Sequence, residues 1–330
     1  MPTVIIGNSG MEQTAPAIDL LEANGFEVRK IADERFGAGG LSNAEEIKYL
    51  QGAVASLAWG ERYPAAVIDE LPDLRVIARL GVGFDKVDLR AATVNKVAVT
   101  ITPNSNHEAV AEHVLAFILS LAKSIPLKDR MMSQGEWPND SNRPIRGATL
   151  GIVGLGRIGR SLAVRASAMK MRIIVVEPAP DLGFVERNSI ELVDLDKLLR
   201  ESEYVSLHLP LNDVTRGMID REKLELMQST ACLINTARGG LVVEKDLIDA
   251  LKSGVITGVG TDVFEQEPTP VGNPLLQLDN VIASPHIAGT DTRSMDDMGL
   301  EAAQYVIDLL DGRWPEGAVV NRDVRQVWNS

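Results

Sequence analysis

The chain has 330 residues, of which 45 % are hydrophobic and 24 % are charged, so it is long enough for two domains with sizeable cores. Its 33 basic and 46 acidic residues leave a net charge of −13, which argues against nonspecific binding to nucleic acid or to anionic membranes. The single cysteine, Cys232, rules out a disulfide framework within the chain and indicates a buried thiol in a reducing compartment.

The N-terminal residues lack the basic start and the longer apolar core of a signal peptide. The most apolar later stretch, residues 114–122, is too short to cross a bilayer. We therefore expect a cytoplasmic protein that binds neither membranes nor nucleic acid, and the sequence predicts no metal site.

Short apolar runs alternate with helical patterns from the N-terminus onward. Buried parallel strands are predicted for four of these runs, at 4–6, 53–55, 76–78 and 97–99. Helices are predicted between and after them, at 11–24, 64–70 and 107–124. This βα repetition predicts an α/β layer fold with right-handed crossovers.

A second βα series begins at Thr149, after a predicted surface loop at 134–147. Its strands are predicted at 150–153, 173–176, 205–207, 232–234, 258–260 and 281–283, and a final amphipathic helix at 292–311. Two doubly wound halves, each with a parallel sheet, are the simplest account of this order.

A glycine-rich turn, Gly154-x-Gly156-x-x-Gly159, follows the first strand of the second series and precedes a helix. In this context the first glycine permits the tight turn, the second lets the backbone approach a pyrophosphate, and the third lets the helix pack closely. Glu177 ends the next strand, where a carboxylate would accept hydrogen bonds from ribose hydroxyls and repel a 2′-phosphate. The turn therefore predicts a site for NAD rather than NADP.

Three polar residues that follow later strands predict hydride-transfer chemistry on a small carboxylate-bearing substrate. Arg238 follows the strand at 232–234, and its planar fork matches a carboxylate. His286 follows the strand at 281–283 and would exchange a proton with the substrate oxygen. Glu267 would hydrogen-bond the far ring nitrogen, orient the imidazole and stabilise its protonated form.

The first half offers a second candidate site with two interpretations. Gly81 and Gly83 either leave backbone N–H groups exposed for a carboxylate or form a tight turn. Arg79 either binds an additional anionic group or is a surface residue.

The sequence context of the remaining histidines predicts other roles. His113, inside the predicted apolar helix, is interpreted as a packed or hydrogen-bonded core residue, and His208 ends a strand and would border the cofactor. His107 is either a cap neighbour or a residue that lines the cleft.

Taken in order, these motifs resemble those of D-isomer-specific 2-hydroxyacid dehydrogenases over nearly the whole chain. The segments that carry the resemblance are 81–88, 109–113, 154–159, 235–240, 262–268 and 284–289. The resemblance implies a Rossmann NAD-binding domain, residues 105–289, inserted into a flavodoxin-like substrate domain made of residues 1–104 and 290–330. It also implies a cleft that closes on the substrate and a homodimer formed through the cofactor domain.

The resemblance assigns roles to individual residues of this chain. It implies that Arg238, Glu267 and His286 are catalytic. The substrate contacts that it implies are Arg79, Gly81, Val82, Gly83, Arg238 and His286. The cofactor contacts that it implies are Gly154, Gly156, Arg157, Ile158, Gly159, Glu177, His208, Pro210, Thr215, Thr236, Ala237, Asp262 and Gly289.

The activity implied is oxidation of a small D-2-hydroxy acid by NAD, most similar to that of D-3-phosphoglycerate dehydrogenases, with glyoxylate or hydroxypyruvate reductase as the alternative. Phosphoglycerate dehydrogenases often carry an arginine after the third strand of the first domain, where this chain reads Ala-Ser-Leu-Ala-Trp at 55–59. A phosphate anchor would then fall to Arg79 or Arg62. A rival of another class is an NAD(H)-sensing corepressor-like binding protein, against which the acidic charge balance argues.

Overall fold

The computed structural model describes residues 1–7 and 15–328. The chain divides into two compact units, which we call the first unit (Met1–Asn106 with Thr290–Ser330) and the second unit (His107–Gly289). Each unit is built on one parallel sheet with helices packed against it, so the predicted α/β class with two doubly wound sheets is confirmed.

The first unit has five strands and six α-helices in its described part. The strands are β1 (Thr3–Gly7), β2 (Glu27–Ile31), β3 (Ala53–Ala58), β4 (Val76–Arg79) and β5 (Ala98–Thr100). The helices are α1 (Ala15–Ala23), α2 (Glu34–Ala38), α3 (Asn43–Leu50), α4 (Ala65–Ile68), α5 (Leu89–Val94) and, from the C-terminal part of the chain, α13 (Thr292–Leu310). The strand order β2-β1-β3-β4-β5 is the flavodoxin-like order, with its topological switch point between β1 and β3.

One strand of this sheet, β2, has no counterpart among the predicted strands. Its sequence, Glu-Val-Arg-Lys-Ile, buries only Ile31, because β2 is an edge strand and most of its side chains face solvent. The sequence of β2 therefore lacks the buried apolar run by which the other strands are predicted. The predicted helix at 11–24 is present as α1, and its residues 11–14 lie outside the described residues.

Alternation along β1 explains how helices cover both faces of the first sheet. Val4 and Ile6 belong to a core shared with α1 and α13, whereas Ile5 belongs to a second core on the opposite face. Each fully buried aliphatic side chain of this kind contributes about 1.5–3 kcal/mol to folding.

The second unit has seven strands and seven α-helices. Its strands are β6 (Thr149–Val153), β7 (Arg172–Val176), β8 (Glu191–Leu192), β9 (Tyr204–Leu207), β10 (Cys232–Asn235), β11 (Gly258–Thr261) and β12 (Val281–Ala283). Its helices are α6 (His107–Lys123), α7 (Ile125–Ser133), α8 (Arg157–Ala168), α9 (Leu182–Arg187), α10 (Leu195–Glu201), α11 (Arg221–Leu226) and α12 (Glu244–Ser253). The order β8-β7-β6-β9-β10-β11-β12 is the Rossmann order, with the switch point between β6 and β9. All the predicted strands of this series are confirmed, and the short edge strand β8 is added to them.

Within the described ranges, no single helix is both long enough and apolar enough to cross a membrane, and only α6 and α7 taken together, bent by 57° at their junction, reach that length and composition.

A buried acid lies at the carboxyl edge of the first sheet. Glu61 follows β3, and neither of its carboxyl oxygens has a hydrogen-bond partner among the described residues. Gly7, at the end of β1, provides the space, since a Cβ atom there would lie 2.6 Å from Oε1 of Glu61. Burial raises the pKa of Glu61 to about 7, although the nearby charges of Arg79 and Lys86 act in the opposite direction.

This raised pKa predicts a pH-dependent loss of stability. A carboxyl group that binds its proton more tightly when folded gives its full stabilisation below the unfolded pKa, and loses it as the pH rises toward 7. Glu61→Gln should remove this loss. The free energy of unfolding of the variant, relative to that of the parent, should therefore rise between pH 5 and pH 8 by on the order of 3 kcal/mol. Thermal midpoints at both pH values measure the difference. A constant difference would contradict the interpretation.

Candidate active site

The glycine turn lies between β6 and α8, beside the switch point of the second sheet. Gly154 has a φ of +101°, and a Cβ atom there would collide with the carbonyl oxygen of His208. A Cβ atom at Gly159 would collide with the carbonyl of Gly154, whereas one at Gly156 would meet nothing within 4 Å. The backbone at Gly156 therefore faces open space at the start of α8, where unbonded N–H groups suit a phosphate.

Glu177 holds the glycine turn from the neighbouring strand. Its Oε2 accepts a hydrogen bond from Leu155 N at 2.8 Å, and its Oε1 accepts one from Ala179 N at 3.0 Å. Each oxygen keeps a second lone pair for a ligand hydroxyl. The acid predicted to bind ribose thus also fixes the shape of the turn.

Two buried polar atoms without partners among the described residues lie directly after β9 and β10. Nε2 of His208 is 2.8 Å from Ser206 Oγ, but its Nδ1 is buried and has no hydrogen-bond partner among the described residues. Oγ1 of Thr236 is likewise buried and has no partner there. Burial lowers the pKa of His208 to about 4, which keeps the imidazole neutral near pH 7. Unpaired polar atoms beside the glycine turn fit a polar dinucleotide such as NAD.

The other predicted cofactor contacts belong to the same edge of the second unit. Arg157 and Ile158 form the first turn of α8, and Pro210 accepts a hydrogen bond from Thr215 Oγ1 at 2.7 Å in the loop after β9. The remaining ones lie in the loops after β10, β11 and β12: Ala237, Asp262 and Gly289.

Arg238 follows β10, in a loop that packs tightly on the loop after β11. Its Nη1 donates to the carbonyl of Ala237 at 2.6 Å, and its own carbonyl accepts from Asn235 Nδ2 at 2.9 Å. A Cβ atom at Gly239 would collide with the main chain of Phe264. The missing side chain at Gly239 thus lets the Arg238 loop rest on the segment that leads to Glu267.

His286 and Glu267 are brought together by the loops after β12 and β11. His286 Nδ1 is 2.7 Å from Glu267 Oε2, while Glu267 Oε1 accepts a hydrogen bond from Phe264 N at 3.1 Å. The carboxylate is therefore anchored on one side and holds the imidazole on the other. The Nε2 atom of the ring is left as the position that can exchange a proton with a ligand.

Glu244, at the start of α12, supports this loop and is absent from the residues that the sequence singles out. Its Oε2 accepts from Glu265 N at 3.2 Å, and its Oε1 accepts from Asn273 Nδ2 at 2.9 Å. An acid in the first turn of a helix is common for dipole reasons, so the sequence carries no signal of this second role.

The predicted substrate residues of the first unit require two corrections. Gly81 N donates to Thr102 Oγ1 at 2.7 Å, so this amide is not available to a carboxylate. Among the described residues, the N–H groups of Val82 and Gly83 make no hydrogen bond, so they remain the candidates.

The second correction concerns Arg79, for which the sequence predicts a contact with an anion of the substrate. The residue is 7 % exposed, and its guanidinium donates to the carbonyls of Gly83, Glu61 and Trp59. These acceptors engage three of the five guanidinium N–H donors in a side chain that is almost fully buried. Arg79 instead ties the Gly81–Gly83 turn to the loop after β3.

Comparisons with known proteins match the part of the chain that carries this site. A family model described as D-isomer specific 2-hydroxyacid dehydrogenase, NAD binding domain, matches residues 115–288. The D-3-phosphoglycerate dehydrogenase of Archaeoglobus fulgidus is 34 % identical over 299 residues, which cover 90 % of this chain but 55 % of that protein. The chain therefore spans about half the length of that relative.

Two further matches cover most of this chain and most of the matched protein. The glyoxylate reductase of Korarchaeum cryptofilum is 39 % identical over 269 residues, covering 80 % of this chain and 81 % of the relative. The crystal structure of the TT0316 protein from Thermus thermophilus has a TM-score of 0.84 and 34 % identity, and the match covers 96 % of this chain and 100 % of that one.

The contact at Gly239 yields a sharp prediction. Gly239→Ala should push the Arg238 loop away from Phe264 and lower the thermal midpoint, since overpacking against main chain costs about 1–3 kcal/mol. Gly254→Ala is the control for the effect of losing a glycine. Gly254 ends a helix with a φ of +74°, and a Cβ atom there would meet no atom within 4 Å, so this variant adds backbone strain without a collision. Equal thermal midpoints for the parent and Gly239→Ala would contradict the packing argument.

Proposed function

The chain belongs to the D-isomer-specific 2-hydroxyacid dehydrogenase family, and from that premise we propose that it catalyses the reversible NAD-dependent oxidation of a small D-2-hydroxy acid to the 2-keto acid. The observation that carries the proposal is the hydrogen bond between His286 Nδ1 and Glu267 Oε2. An imidazole held in this way offers Nε2 to a substrate oxygen and can act as acid or base near neutral pH.

The residues of this chain have separate roles in the reaction. Nicotinamide, when NAD is bound, supplies or accepts the hydride. In the reduction, His286 donates its Nε2 proton to the carbonyl oxygen, and the carboxylate of Glu267 balances the charge of the imidazolium. In the oxidation, His286 takes the hydroxyl proton back. Arg238 binds the substrate carboxylate with two N–H donors.

For the substrate, we propose an unphosphorylated 2-keto acid such as glyoxylate or hydroxypyruvate. Segment 55–59 holds no arginine, and the guanidinium of Arg79 is already bound to three carbonyls. The second candidate is the phosphoglycerate dehydrogenase reaction, which the similarity to the Archaeoglobus fulgidus enzyme favours and for which the exposed Arg62 is the available cation.

The proposal predicts a catalytic defect in Arg238→Ala. With NADH and a panel of glyoxylate, hydroxypyruvate, pyruvate and 3-phosphohydroxypyruvate, we expect the highest kcat/KM for an unphosphorylated acid. Arg238→Ala should lower that kcat/KM by about 100-fold or more, because the carboxylate loses its charged partner. Arg221→Ala removes an arginine that pairs with Asp249 on the outer helices and serves as the control.

Three results would count against this assignment. An Arg238→Ala value within a few-fold of the parent removes the arginine from the site. A clear preference for the phosphorylated acid selects the second candidate. Binding of NADH without turnover of any 2-keto acid favours a nucleotide-sensing protein instead.

We further propose that the protein acts as a homodimer in the cytoplasm, with its buried thiol, Cys232, kept reduced. The helix α7 has no buried residue, and Ile125 and Met132 on it are exposed, as is Trp137 just beyond it at 83 %. Apolar side chains concentrated on one segment are typical of a subunit interface.

This assembly can be measured by size-exclusion chromatography with light scattering. The parent should have twice the mass of one chain, and Trp137→Glu should shift the population toward monomer by burying a charge in the interface. Val271→Glu changes an apolar residue of another loop that is even more exposed, at 94 %, and should leave the mass unchanged. A monomeric parent would refute the proposal without affecting the proposed reaction.

A further inference from the structure

The loop that carries His286 is wrapped around one buried carboxylate. Asp262, 1 % exposed, accepts hydrogen bonds from Ile287 N at 2.9 Å and Ala288 N at 2.7 Å. Its own carbonyl accepts from His286 N at 2.8 Å. Both oxygens of the side chain thus hold the loop from within.

This loop needs such an anchor because His286 has an unfavourable backbone conformation. Its φ is +58°, in the left-handed region, which costs an L-residue with a side chain roughly 1–2 kcal/mol. The conformation persists only where the surroundings hold it, and here it directs Nδ1 toward Glu267. A looser loop would therefore misplace the imidazole before it unfolded the protein.

A third donor to Asp262 connects the loop to helix α6. Ser284 Oγ lies 2.5 Å from Asp262 Oδ1 and 2.9 Å from His113 Nε2. A carboxylate only accepts, so the serine hydroxyl donates to Asp262 and must accept from His113. The proton of His113 is therefore on Nε2, and all the hydrogen bonds run in one direction, from imidazole to hydroxyl to carboxylate.

The ring of His113 is itself held in place. It packs edge-on against Phe117, one helical turn along α6, with ring centroids 4.7 Å apart and an interplanar angle of 83°. Phe117 is buried in the core of the second unit. The donor therefore has a fixed position relative to the sheet.

We propose that His113 is a positioning residue that, through Ser284 and Asp262, holds the His286 loop in its strained conformation. This role deepens the proposed function and depends on it for the kinetic effect. His113, which the sequence pattern predicts to be a core residue, thereby acts on the active site, and so does Ser284, for which the sequence predicts no role.

The test compares His113→Leu with His113→Gln. Leucine matches the bulk of the imidazole but cannot donate, whereas the glutamine amide nitrogen can reach the Nε2 position and donate to Ser284. We expect His113→Leu to lower kcat about tenfold while the KM for NADH changes less than twofold, and His113→Gln to recover most of the loss. Ser284→Ala should lower kcat to a similar extent as His113→Leu. The kcat of the double variant should be no lower than that of either single variant.

A second readout does not require activity. Hydrogen–deuterium exchange at the amides of Ile287 and Ala288 should be at least tenfold faster in His113→Leu than in the parent and return to normal in His113→Gln. If the parent turns over no 2-keto acid, the proposed function fails, but the exchange measurement still tests whether His113 holds the loop through Ser284 and Asp262.

The matched control is Val114→Ala, which removes methyl groups from a fully buried neighbour on α6. It should lower the thermal midpoint and leave both kcat and the exchange of the two amides unchanged. The proposal is overturned if Val114→Ala reproduces the effects of His113→Leu, if glutamine fails to rescue them, or if the exchange of both amides is unaffected by His113→Leu.

Discussion

The hydrogen bond between His286 Nδ1 and Glu267 Oε2, 2.7 Å long, joins two loops that follow neighbouring strands, β11 and β12. A bond of this kind fixes both the orientation of the imidazole and the position of its proton, so one atom, Nε2, faces outward for chemistry. The surrounding structure keeps these two side chains in contact. Asp262 holds the loop of the histidine, and Phe264 and Glu244 hold the loop of the carboxylate.

A parallel sheet explains why so many functional groups meet at one edge of the second unit. All the strands point the same way, so the loops that follow β6, β9, β10, β11 and β12 emerge on the same side. Close approach between these loops depends on the absence of side chains. Gly154 touches the main chain after β9, and Gly239 touches the main chain after β11. A side chain at either position would separate the parts of the site.

The first unit shows how burial changes the role of a charged residue. The sequence suggests that Arg79 binds an anionic substrate, but the side chain is buried and three of its N–H donors bind the carbonyls of Trp59, Glu61 and Gly83. The same charge lies near the buried carboxyl of Glu61, whose raised pKa shows that desolvation outweighs the attraction. The groups that remain for a ligand on this loop are main-chain amides, at Val82 and Gly83.

The fold class, almost every strand and the glycine turn can be predicted from the sequence because they depend on short-range patterns. The pairing of His286 with Glu267 is predicted from the chemistry of the two groups, each of which follows a buried strand. The sequence did not reveal the edge strands β2 and β8, which lack buried apolar runs. The folded molecule adds three facts: Arg79 is turned inward, the amide of Gly81 is already hydrogen-bonded, and His113 reaches the loop of His286 through Ser284 and Asp262. Those contacts join residues 20 to 171 positions apart, and which side chain meets which is set by how the helices and loops pack.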